Sequence, residues 1–184
     1  MLRLVGSTCV LRDWTEPDVL AYREYLRPDY DWHDTNGPYF GRPNEAEADR
    51  AAARARSALD DPPTPRELLV IAPVDEPDRL IGMINWYWEC RETDWRRIGI
   101  GIYDPALRSR GIGAEALRLW TRYLFATTSA LRLDLQTYSG NVGMCKAARA
   151  AGFVEEARLR MARRWSGGVH DAMIYAAFPD TFGG

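Results

Sequence analysis

The segment Arg108–Gly113, Arg-Ser-Arg-Gly-Ile-Gly, has the composition of an anion-binding loop. It precedes an amphipathic helix predicted over residues 113–126, in which Leu117, Trp120 and Leu124 share one face. Backbone N–H groups at a helix N-terminus attract anions, glycines let an anion approach the backbone, and arginines pair with phosphate. The segment therefore predicts a site for a phosphate or a pyrophosphate.

The same glycines also fit the G-x-G-x-x-A fingerprint of dinucleotide-binding domains. Residues 111–116 match it, and Asp134 lies about 20 residues downstream, where the fingerprint expects an acid. That fingerprint needs a strand running straight into the first glycine, usually in the first strand–helix turn. Here Asp104-Pro105 ends the strand and three strands come earlier, so the context argues against a nicotinamide or flavin site.

The strand before this segment, Ile98–Ile102, alternates three isoleucines with Gly99 and Gly101. Its isoleucine face is apolar and belongs in the core, whereas its other face is bare backbone. Because glycine weakens a strand interior, the pattern indicates either close approach of a ligand or room for a neighbouring tryptophan.

Hydrophobic periodicity predicts one mixed α/β arrangement. The predicted elements are a strand within 1–13, a helix starting at Glu16, a helix from Asn44 to Leu59, strands over 68–72, 80–89 and 96–103, a helix over 113–126, a strand over 131–137, a helix over 141–151, and strands over 157–165 and 169–178. Residues 28–43 are predicted to be a loop. This order implies a central sheet with helices on its faces and a right-handed strand–helix–strand unit over 96–137.

Composition excludes several classes of function. The 184 residues suit one domain, and a net charge of −2 argues against a strong grip on duplex nucleic acid or charge-driven binding to membranes. Three widely spaced cysteines and two histidines predict neither a metal site nor a disulfide scaffold. No secretory or membrane-spanning segment is evident, so a soluble, cytoplasmic protein is expected.

Taken together, these motifs resemble the GNAT superfamily of N-acetyltransferases. The resemblance rests on Arg108–Gly113 as its Q/R-x-x-G-x-G/A signature, Asn141–Lys146 with Ala151-Gly152-Phe153 as its N-x-x-S…G-F segment, Gly168–Tyr175 as its closing strand and Ile81–Trp86 as its central strand. It spans residues 67–178, whereas residues 1–66 agree in arrangement only. The branch that the chain most resembles contains the RimJ/RimL-type ribosomal-protein N-terminal acetyltransferases.

The resemblance implies a GNAT-like mixed sheet with a splayed strand pair, in whose gap the pantetheine of acetyl-CoA pairs with strand backbone. It implies one acetyltransferase domain over 1–184, with acceptor-side helices and a loop in 1–66 and a coenzyme A-binding core in 67–178. The implied cofactor-binding residues are Ile102, Arg108, Ser109, Arg110, Gly111, Ile112, Gly113, Ala114, Asn141 and Lys146. For Asn141 the alternative role is a helix N-cap, and for Lys146, the only lysine, it is a solvated helix face.

The implied activity is transfer of an acetyl group from acetyl-CoA to a primary amine, either a protein N-terminus or a small amine, by direct attack. Two residues depart from the family pattern: Ala148 replaces a frequent general-acid tyrosine, and Met144 replaces a frequent serine. Tyr138 or water would then protonate the leaving thiolate. Cys145 also lies near this position, but its place in the helix is typical of a packed cysteine. These departures keep open an alternative, a coenzyme A-binding protein with little or no catalysis.

The general base is expected to be Glu89, which ends a strand rich in aromatic residues, with Asp94 and Asp134 as further candidates. The acceptor is expected at a loop over 29–40, because its three acids and four aromatic residues would attract a cationic amine. The candidate acceptor-binding residues are Trp32, Trp86 and Trp88, of which the last two would otherwise fill the core. The expected partners are acetyl-CoA and an amine, and the resemblance is compatible with a homodimer.

Overall fold

In the computed structural model, which describes residues 1–60 and 62–182, eight strands form a mixed sheet with helices on both faces. The strands are β1 (Arg3–Val5), β2 (Cys9–Arg12), β3 (Leu68–Pro73), β4 (Gly82–Cys90), β5 (Trp95–Ile102), β6 (Leu133–Tyr138), β7 (Val154–Trp165) and β8 (Gly168–Ala177). The helices are α1 (Glu16–Tyr25), α2 (Glu45–Ser57), α3 (Ile112–Thr127) and α4 (Val142–Ala151). The predicted α/β class is confirmed.

The sheet order is β1-β2-β3-β4-β5-β6-β8-β7, and its neighbouring strands are antiparallel except for β5 and β6. The predicted strand–helix–strand unit is therefore present, with α3 connecting the parallel pair. Two short 3-10 segments, Asp31–Thr35 and Pro38–Phe40, lie in the stretch predicted as a loop, and a third, Pro105–Leu107, follows β5.

Side-chain caps set the starts of the two N-terminal helices where the sequence predicts them. At α1, the Asp18 carboxylate accepts hydrogen bonds from the Thr15 N–H (2.8 Å) and hydroxyl (2.5 Å). At α2, the Asn44 side chain accepts from the Glu47 N–H (3.0 Å), and Glu47 accepts from the Asn44 N–H (2.9 Å). The bonds at α2 are reciprocal, and the side-chain acceptors at both helices satisfy N–H groups at the helix start.

The N-terminal segment, expected to be one strand, is instead a hairpin of β1 and β2. The Glu115 carboxylate, from the first turn of α3, accepts hydrogen bonds from the N–H groups of Ser7, Thr8 and Cys9 and from the Ser7 and Thr8 hydroxyls, at 2.5–3.0 Å. A Cβ atom on Gly6 would lie 2.4 Å from the Glu115 side chain, so this approach requires glycine. Because the turn is held by a distant residue, local periodicity does not reveal it.

The sheet buries a core on each face. Alternate residues of β3 separate the two: Leu69 and Ile71 pack beneath α3 and α4, whereas Leu68 and Val70 pack beneath α1 and α2. The predicted apolar face of α3 is fully buried, since the side chains of Leu117, Trp120 and Leu124 have no exposed surface. This arrangement fixes β4 and β5 rigidly between two packed layers.

The parallel strands β5 and β6 diverge, which confirms the predicted splayed pair. Within the described residues they pair only at Arg96↔Leu133 and Arg97↔Asp134, although both strands continue beyond that point. We call this diverging pair the fork. Its closed end is held by buried Asp134, which accepts hydrogen bonds from Trp95 Nε1 (2.6 Å) and Arg97 Nε (2.7 Å).

Candidate active site

The open end of the fork leads into a cavity of about 420 Å³, here called the groove. The walls of the groove come from both strands of the fork, from β4 and from the two 3-10 segments above them. Its lining residues are Tyr22, Trp32, Thr35, Asn36, Gly37, Tyr39, Phe40, Met83, Asn85, Tyr87, Ile98, Gly99, Ile100, Gly101, Tyr103, Gln136, Thr137, Tyr138, Asn141, Met144 and Arg163. This volume is in the range of small-molecule binding sites.

The backbone of β5 presents polar groups to the groove. The Tyr103 N–H donates to the Ile81 carbonyl oxygen (2.8 Å), and Ile102 lies opposite Gly82. Because hydrogen bonds alternate along an antiparallel pair, the N–H and C=O groups of Ile98, Ile100 and Ile102 point away from β4, toward the fork. In the described chain, pairing with β6 stops before Ile100, so its N–H is left for a ligand.

The two glycines of β5 accommodate neighbours as well as facing the groove. A Cβ atom on Gly99 would lie 2.4 Å from Asn85 Oδ1, and one on Gly101 would lie 3.1 Å from the ring of Tyr103. The expectation that these glycines make room for a tryptophan is therefore wrong, because the residues that need the space are Asn85 and Tyr103. Both glycines also line the groove, as close approach of a ligand requires.

The predicted anion loop, Arg108–Gly113, runs into the N-terminus of α3. Gly111 is the N-cap residue with φ = 82° and open space where a Cβ would be. The first intrahelical bond joins the Glu115 N–H to the Gly111 carbonyl oxygen (3.0 Å), which leaves the N–H groups of Ile112, Gly113 and Ala114 without intrahelical acceptors. These donors, with exposed Ser109 and Arg110 beside them, form the geometry that binds anions.

Two other predicted cofactor residues at the loop contact each other. The Arg108 guanidinium donates to the Ile102 carbonyl oxygen from Nε (3.3 Å) and Nη2 (3.2 Å). That carbonyl oxygen is thus already in use, and Arg108 fixes the end of β5 relative to the loop. The structure also lacks the context of a dinucleotide fingerprint, because the segment Pro105–Leu107 separates β5 from Gly111.

Asn141 joins two parts of the site. Its side-chain oxygen accepts from the Met144 N–H (3.0 Å), so Asn141 is the N-cap of α4, and its amide nitrogen donates to the Thr35 carbonyl oxygen (2.8 Å). It also lines the groove. Lys146 is exposed on α4, next to Ala147, whose Cβ lies 3.8 Å from the position of a Cβ on Gly113.

The structure brings one of the three candidate tryptophans into the groove. Trp32 lines it, anchored by a hydrogen bond from its Nε1 to the Tyr25 carbonyl oxygen (2.6 Å). Trp86 and Trp88 lie on the opposite face of β4, where the Arg96 guanidinium packs on both rings at 5.1 and 4.4 Å from their centroids. Trp86 and Trp88 therefore pack in the core, as the alternative interpretation of the sequence predicts.

The carboxylates proposed as general bases all have protein partners and lie outside the groove lining. Glu89 pairs with Arg97 (2.7 Å), and Asp94 pairs with Arg96 (2.7 Å). Asp134 has no exposed surface and is held at the closed end of the fork. The structure thus places Glu89 in the ion-paired network that supports the fork rather than in the groove.

The acids of the 29–40 loop also lie outside the groove lining. Asp34 pairs with Arg42 (2.7 Å) and Asp29 with Arg27 (3.4 Å), and Asp31 does not line the groove either. The expectation of an acidic, amine-attracting wall is therefore wrong. Of the aromatic residues in that loop, Trp32, Tyr39 and Phe40 line the groove.

Tyrosines supply most of the titratable groups in the groove. Burial, followed by the nearby Tyr39 and Asp34, raises the pKa of Tyr138, and burial raises the pKa of Tyr87. A tyrosine with a raised pKa keeps its proton through neutral pH and can donate it. Tyr138 lies on the β6 side of the fork and lines the groove.

Sequence reasoning missed several lining residues, above all Asn85, Tyr87, Gln136 and Arg163. The first three alternate along predicted strands, so their shared face was open to prediction once the core face was known. Arg163 comes from the β7–β8 hairpin, and its Cζ lies 5.0 Å from the ring centroid of Tyr39. No local pattern distinguishes it from the other arginines of that hairpin.

Comparison with known proteins identifies the family. The family model for the acetyltransferase (GNAT) domain matches residues 9–154, more than half of the chain, and the protein belongs to this family. A search of curated protein sequences gives no significant match. Among the described residues, no helix is long and apolar enough to cross a membrane.

Solved structures agree with this assignment at the level of the fold. RimL, a ribosomal-protein alpha-N-acetyltransferase in complex with coenzyme A, is similar with a TM-score of 0.74 and 17% identity over 98% of this chain and 99% of that chain. Spermidine N-acetyltransferase from Vibrio cholerae has a TM-score of 0.73 and 16% identity over 96% and 99%. A GNAT-family acetyltransferase from Bacillus anthracis has a TM-score of 0.73 and 16% identity over 97% and 99%.

Proposed function

We propose that this protein binds acetyl-CoA and transfers its acetyl group to a primary amine. The observation that carries the proposal is the fork, whose open end directs the unpaired N–H of Ile100 into a groove. Family membership supplies the reaction class, and solved relatives contain coenzyme A. In this proposal residues 67–178 form the coenzyme A-binding core and residues 1–66 the acceptor side of a single domain.

In this proposal, different residues bind different parts of acetyl-CoA. The N–H groups of Ile112, Gly113 and Ala114 face the position of a pyrophosphate, with Ser109 and Arg110 at its edge. The backbone of β5 suits an extended amide-containing arm, because a polar chain can replace the missing β6 partner. Asn141 supports this arm from α4, and Lys146 is available to a peripheral phosphate.

Acetyl-CoA supplies an activated thioester, and the chain's part is to position it and stabilise developing charge. When the amine nitrogen bonds to the thioester carbon, the Ile100 N–H is placed to stabilise the oxyanion. The carbon–sulfur bond then breaks, and Tyr138 can protonate the departing sulfur. The nitrogen gives up its second proton to leave the neutral amide, and a proton from solvent restores Tyr138. A thiol with an ordinary pKa of about 8.5 also leaves without full protonation, so this step needs only modest assistance.

The amine must lose a proton before it attacks, and the groove favours that loss without a carboxylate. The aromatic walls of the groove remove water from a bound ammonium, and this loss of solvation favours the neutral amine. The proton leaves to solvent at the groove mouth. Under this mechanism the rate follows the neutral fraction of the acceptor rather than the titration of Glu89.

The test measures binding and turnover separately. We expect acetyl-CoA and coenzyme A, but not NADH, to raise the melting temperature. At a ligand concentration of roughly 100 times the dissociation constant, binding adds about 2.7 kcal/mol to the free energy of unfolding. Thiol release in the presence of an amine panel then measures transfer. Absence of any shift with acetyl-CoA would refute the assignment of the anion loop.

A matched pair of glycine variants makes this test specific. Gly111 and Gly167 both have positive φ angles, 82° and 73°, and open space at Cβ, so aspartate imposes a similar backbone cost at either position. We expect Gly111→Asp to weaken acetyl-CoA binding about tenfold or more by placing a negative charge at the anion site. Gly167→Asp, in the distant hairpin turn, should bind normally.

One observation favours the second candidate, a coenzyme A-binding protein with little catalysis. Within the described residues, no carboxylate or histidine lines the groove, and α4 has Ala148 at the position of a frequent general acid. This candidate predicts that acetyl-CoA binds as tightly as proposed while thiol release stays at the rate of hydrolysis with every amine in the panel.

A further inference from the structure

We propose that the amine acceptor also carries a carboxylate, and that Arg163 is the residue that recognises it. This inference rests on the proposed acetyl transfer, because it concerns which amine enters the same groove. Arg163 would act as a specificity-determining residue that holds the acceptor while its amine faces the fork.

The charge of the groove is the first observation. Among the residues that line it, Arg163 is the single formally charged side chain, and the other polar side chains are neutral amides and hydroxyls. A polyamine entering this groove would meet a guanidinium and no carboxylate. A ligand with one negative group would instead complete the pairing that buried or half-buried charges require.

The availability of Arg163 is the second observation. Within the described part of the chain it makes no ion pair, its Nε is buried without a hydrogen-bond partner, and Nη1 donates only to the Ala162 carbonyl oxygen (3.2 Å). On the same strand, Arg158 is fully occupied by Glu155 (3.1 Å) and Asp171 (3.1 Å). An arginine held against Tyr39 without an acid is arranged for a partner from outside the chain.

The charge of the surrounding hairpin also favours a ligand with a negative group. Within the described residues, Arg160, Arg163 and Arg164 of the β7–β8 hairpin have no ion-pair partner, whereas Arg158 is paired. Of the three unpaired arginines, Arg163 lines the groove. A local excess of positive charge raises the concentration of anions at a binding site and repels polycations.

The position of Arg163 fits an acceptor of modest size. Only the ring of Tyr39 separates it from Tyr138: the guanidinium lies 5.0 Å from that ring, and the ring centroids of Tyr39 and Tyr138 are 5.8 Å apart. Tyr138 borders the open end of the fork. A carboxylate paired with Arg163 and an amine at the fork can therefore belong to one small molecule with an apolar body packed on Tyr39.

The experiment uses matched acceptors that differ by one carboxylate. Phenylalanine and phenethylamine, tyrosine and tyramine, and leucine and 3-methylbutylamine are compared at equal concentrations of neutral amine, with spermidine and an N-terminal peptide bearing a glutamate side chain as further arms. Wild-type protein, Arg163→Met, Arg163→Lys and Arg164→Met are assayed by thiol release. Arg164 is exposed and does not line the groove, so Arg164→Met controls for loss of charge from the hairpin.

We expect the wild-type protein to prefer the carboxylate-bearing member of at least one pair by about tenfold or more in kcat/KM. Arg163→Met should abolish that preference through KM, leave the decarboxylated amine and acetyl-CoA unaffected, and be partly rescued by Arg163→Lys. Arg164→Met should keep the preference. Preference for spermidine or the decarboxylated amines, or an equal loss for both members in Arg163→Met, would overturn the inference while leaving acetyl transfer intact.

A binding arm decides the matter if acetyl-CoA binds but no amine is acetylated. Thermal stability is measured with coenzyme A and either N-acetylphenylalanine or N-acetylphenethylamine. Stabilisation by the carboxylate compound in wild-type protein and its loss in Arg163→Met would support recognition by Arg163. Equal behaviour of the two compounds would overturn it. Preference for the peptide arm over free amino acids would show that the carboxylate belongs to a polypeptide.

Discussion

The two ends of the fork contrast in how their polar groups are paired. At the closed end, Asp134, Arg97 and Glu89 form a chain of ion pairs and hydrogen bonds at 2.7 Å. At the open end, within the described residues, the Ile100 N–H has no strand partner and Arg163 has no acid. Paired charge therefore holds the strands together at the closed end, whereas the unpaired polar groups at the open end remain available to a ligand.

The largest effect is expected from breaking the closed end. Replacing Asp134 by Asn leaves the buried Arg97 guanidinium with Glu89 as its remaining ion-pair partner. We expect a loss of about 3 kcal/mol in the free energy of unfolding, at the lower end for breaking a buried pair because Glu89 stays. Urea denaturation measures it. The double variant Arg97→Met/Asp134→Leu should lose less, because it removes both charges. A loss below about 1 kcal/mol in Asp134→Asn would show that the closed end is not held electrostatically.

Glu115, in the first turn of α3, resembles the residues at the closed end of the fork because hydrogen bonds within the protein hold its carboxylate. Its hydrogen bonds from Ser7 and Thr8 lower its pKa to about 2, against the cost of partial burial. The ionised form is therefore favoured in the folded state, so its contribution is complete above the ordinary carboxyl pKa and is lost as the pH falls through 4 toward 2. We expect Glu115→Gln to cost roughly 1–3 kcal/mol at pH 7.

The pH dependence provides the matching control for this prediction. Unfolding measured from pH 6 to pH 2 should show that wild-type protein loses its advantage over Glu115→Gln in the acid part of that range. A difference between the two proteins that stays constant with pH would mean that shape, rather than charge, accounts for the effect.

At the open end, removal of the Tyr138 hydroxyl tests the proposed proton donor. We expect Tyr138→Phe to lower kcat by about tenfold, within the range for loss of an assisting acid, and to leave acetyl-CoA binding unchanged. Because burial raises the pKa of Tyr138, wild-type activity should not decline from its ionisation at moderately alkaline pH. Equal kcat values for Tyr138→Phe and wild type would assign the proton transfer to water.

The smallest effect is expected for Glu89, the residue that sequence reasoning put first as a base. It pairs with Arg97 and lies outside the groove lining, so Glu89→Gln should change kcat/KM by less than about threefold. A drop of about 100-fold in kcat/KM for Glu89→Gln would restore Glu89 as the general base. It would also show that the closed end takes part in catalysis as well as in stability.

The fold was predictable to a large extent because its signals are local. Alternation in β3 to β6, the caps at Thr15 and Asn44, and the glycine-rich start of α3 each specify an element within a few residues. The β1–β2 hairpin was not predictable in this way, because Glu115 stabilises its turn from more than 100 positions away.

The acceptor side of the site was much less predictable, because its charges are settled by long-range pairing. Asp34 in isolation suggests attraction for an amine, but Arg42 neutralises it. In the sequence, Arg163 is one of many arginines. Its importance becomes clear only in the folded structure, where no acidic side chain of the described residues pairs with it. Composition reveals how many charges a segment has, whereas the folded structure decides which of them remain unpaired.

The side chain of Asn141 has a consequence for how the binding of one proposed substrate affects the binding of the other. Its oxygen caps α4, on the proposed coenzyme side, and its nitrogen donates to the Thr35 carbonyl oxygen, in a segment that lines the proposed acceptor site. A ligand that displaced this amide would release both contacts together, so the affinities for the two substrates would be thermodynamically linked. Such linkage is reciprocal: whatever factor one substrate imposes on the binding of the other, the second imposes on the first.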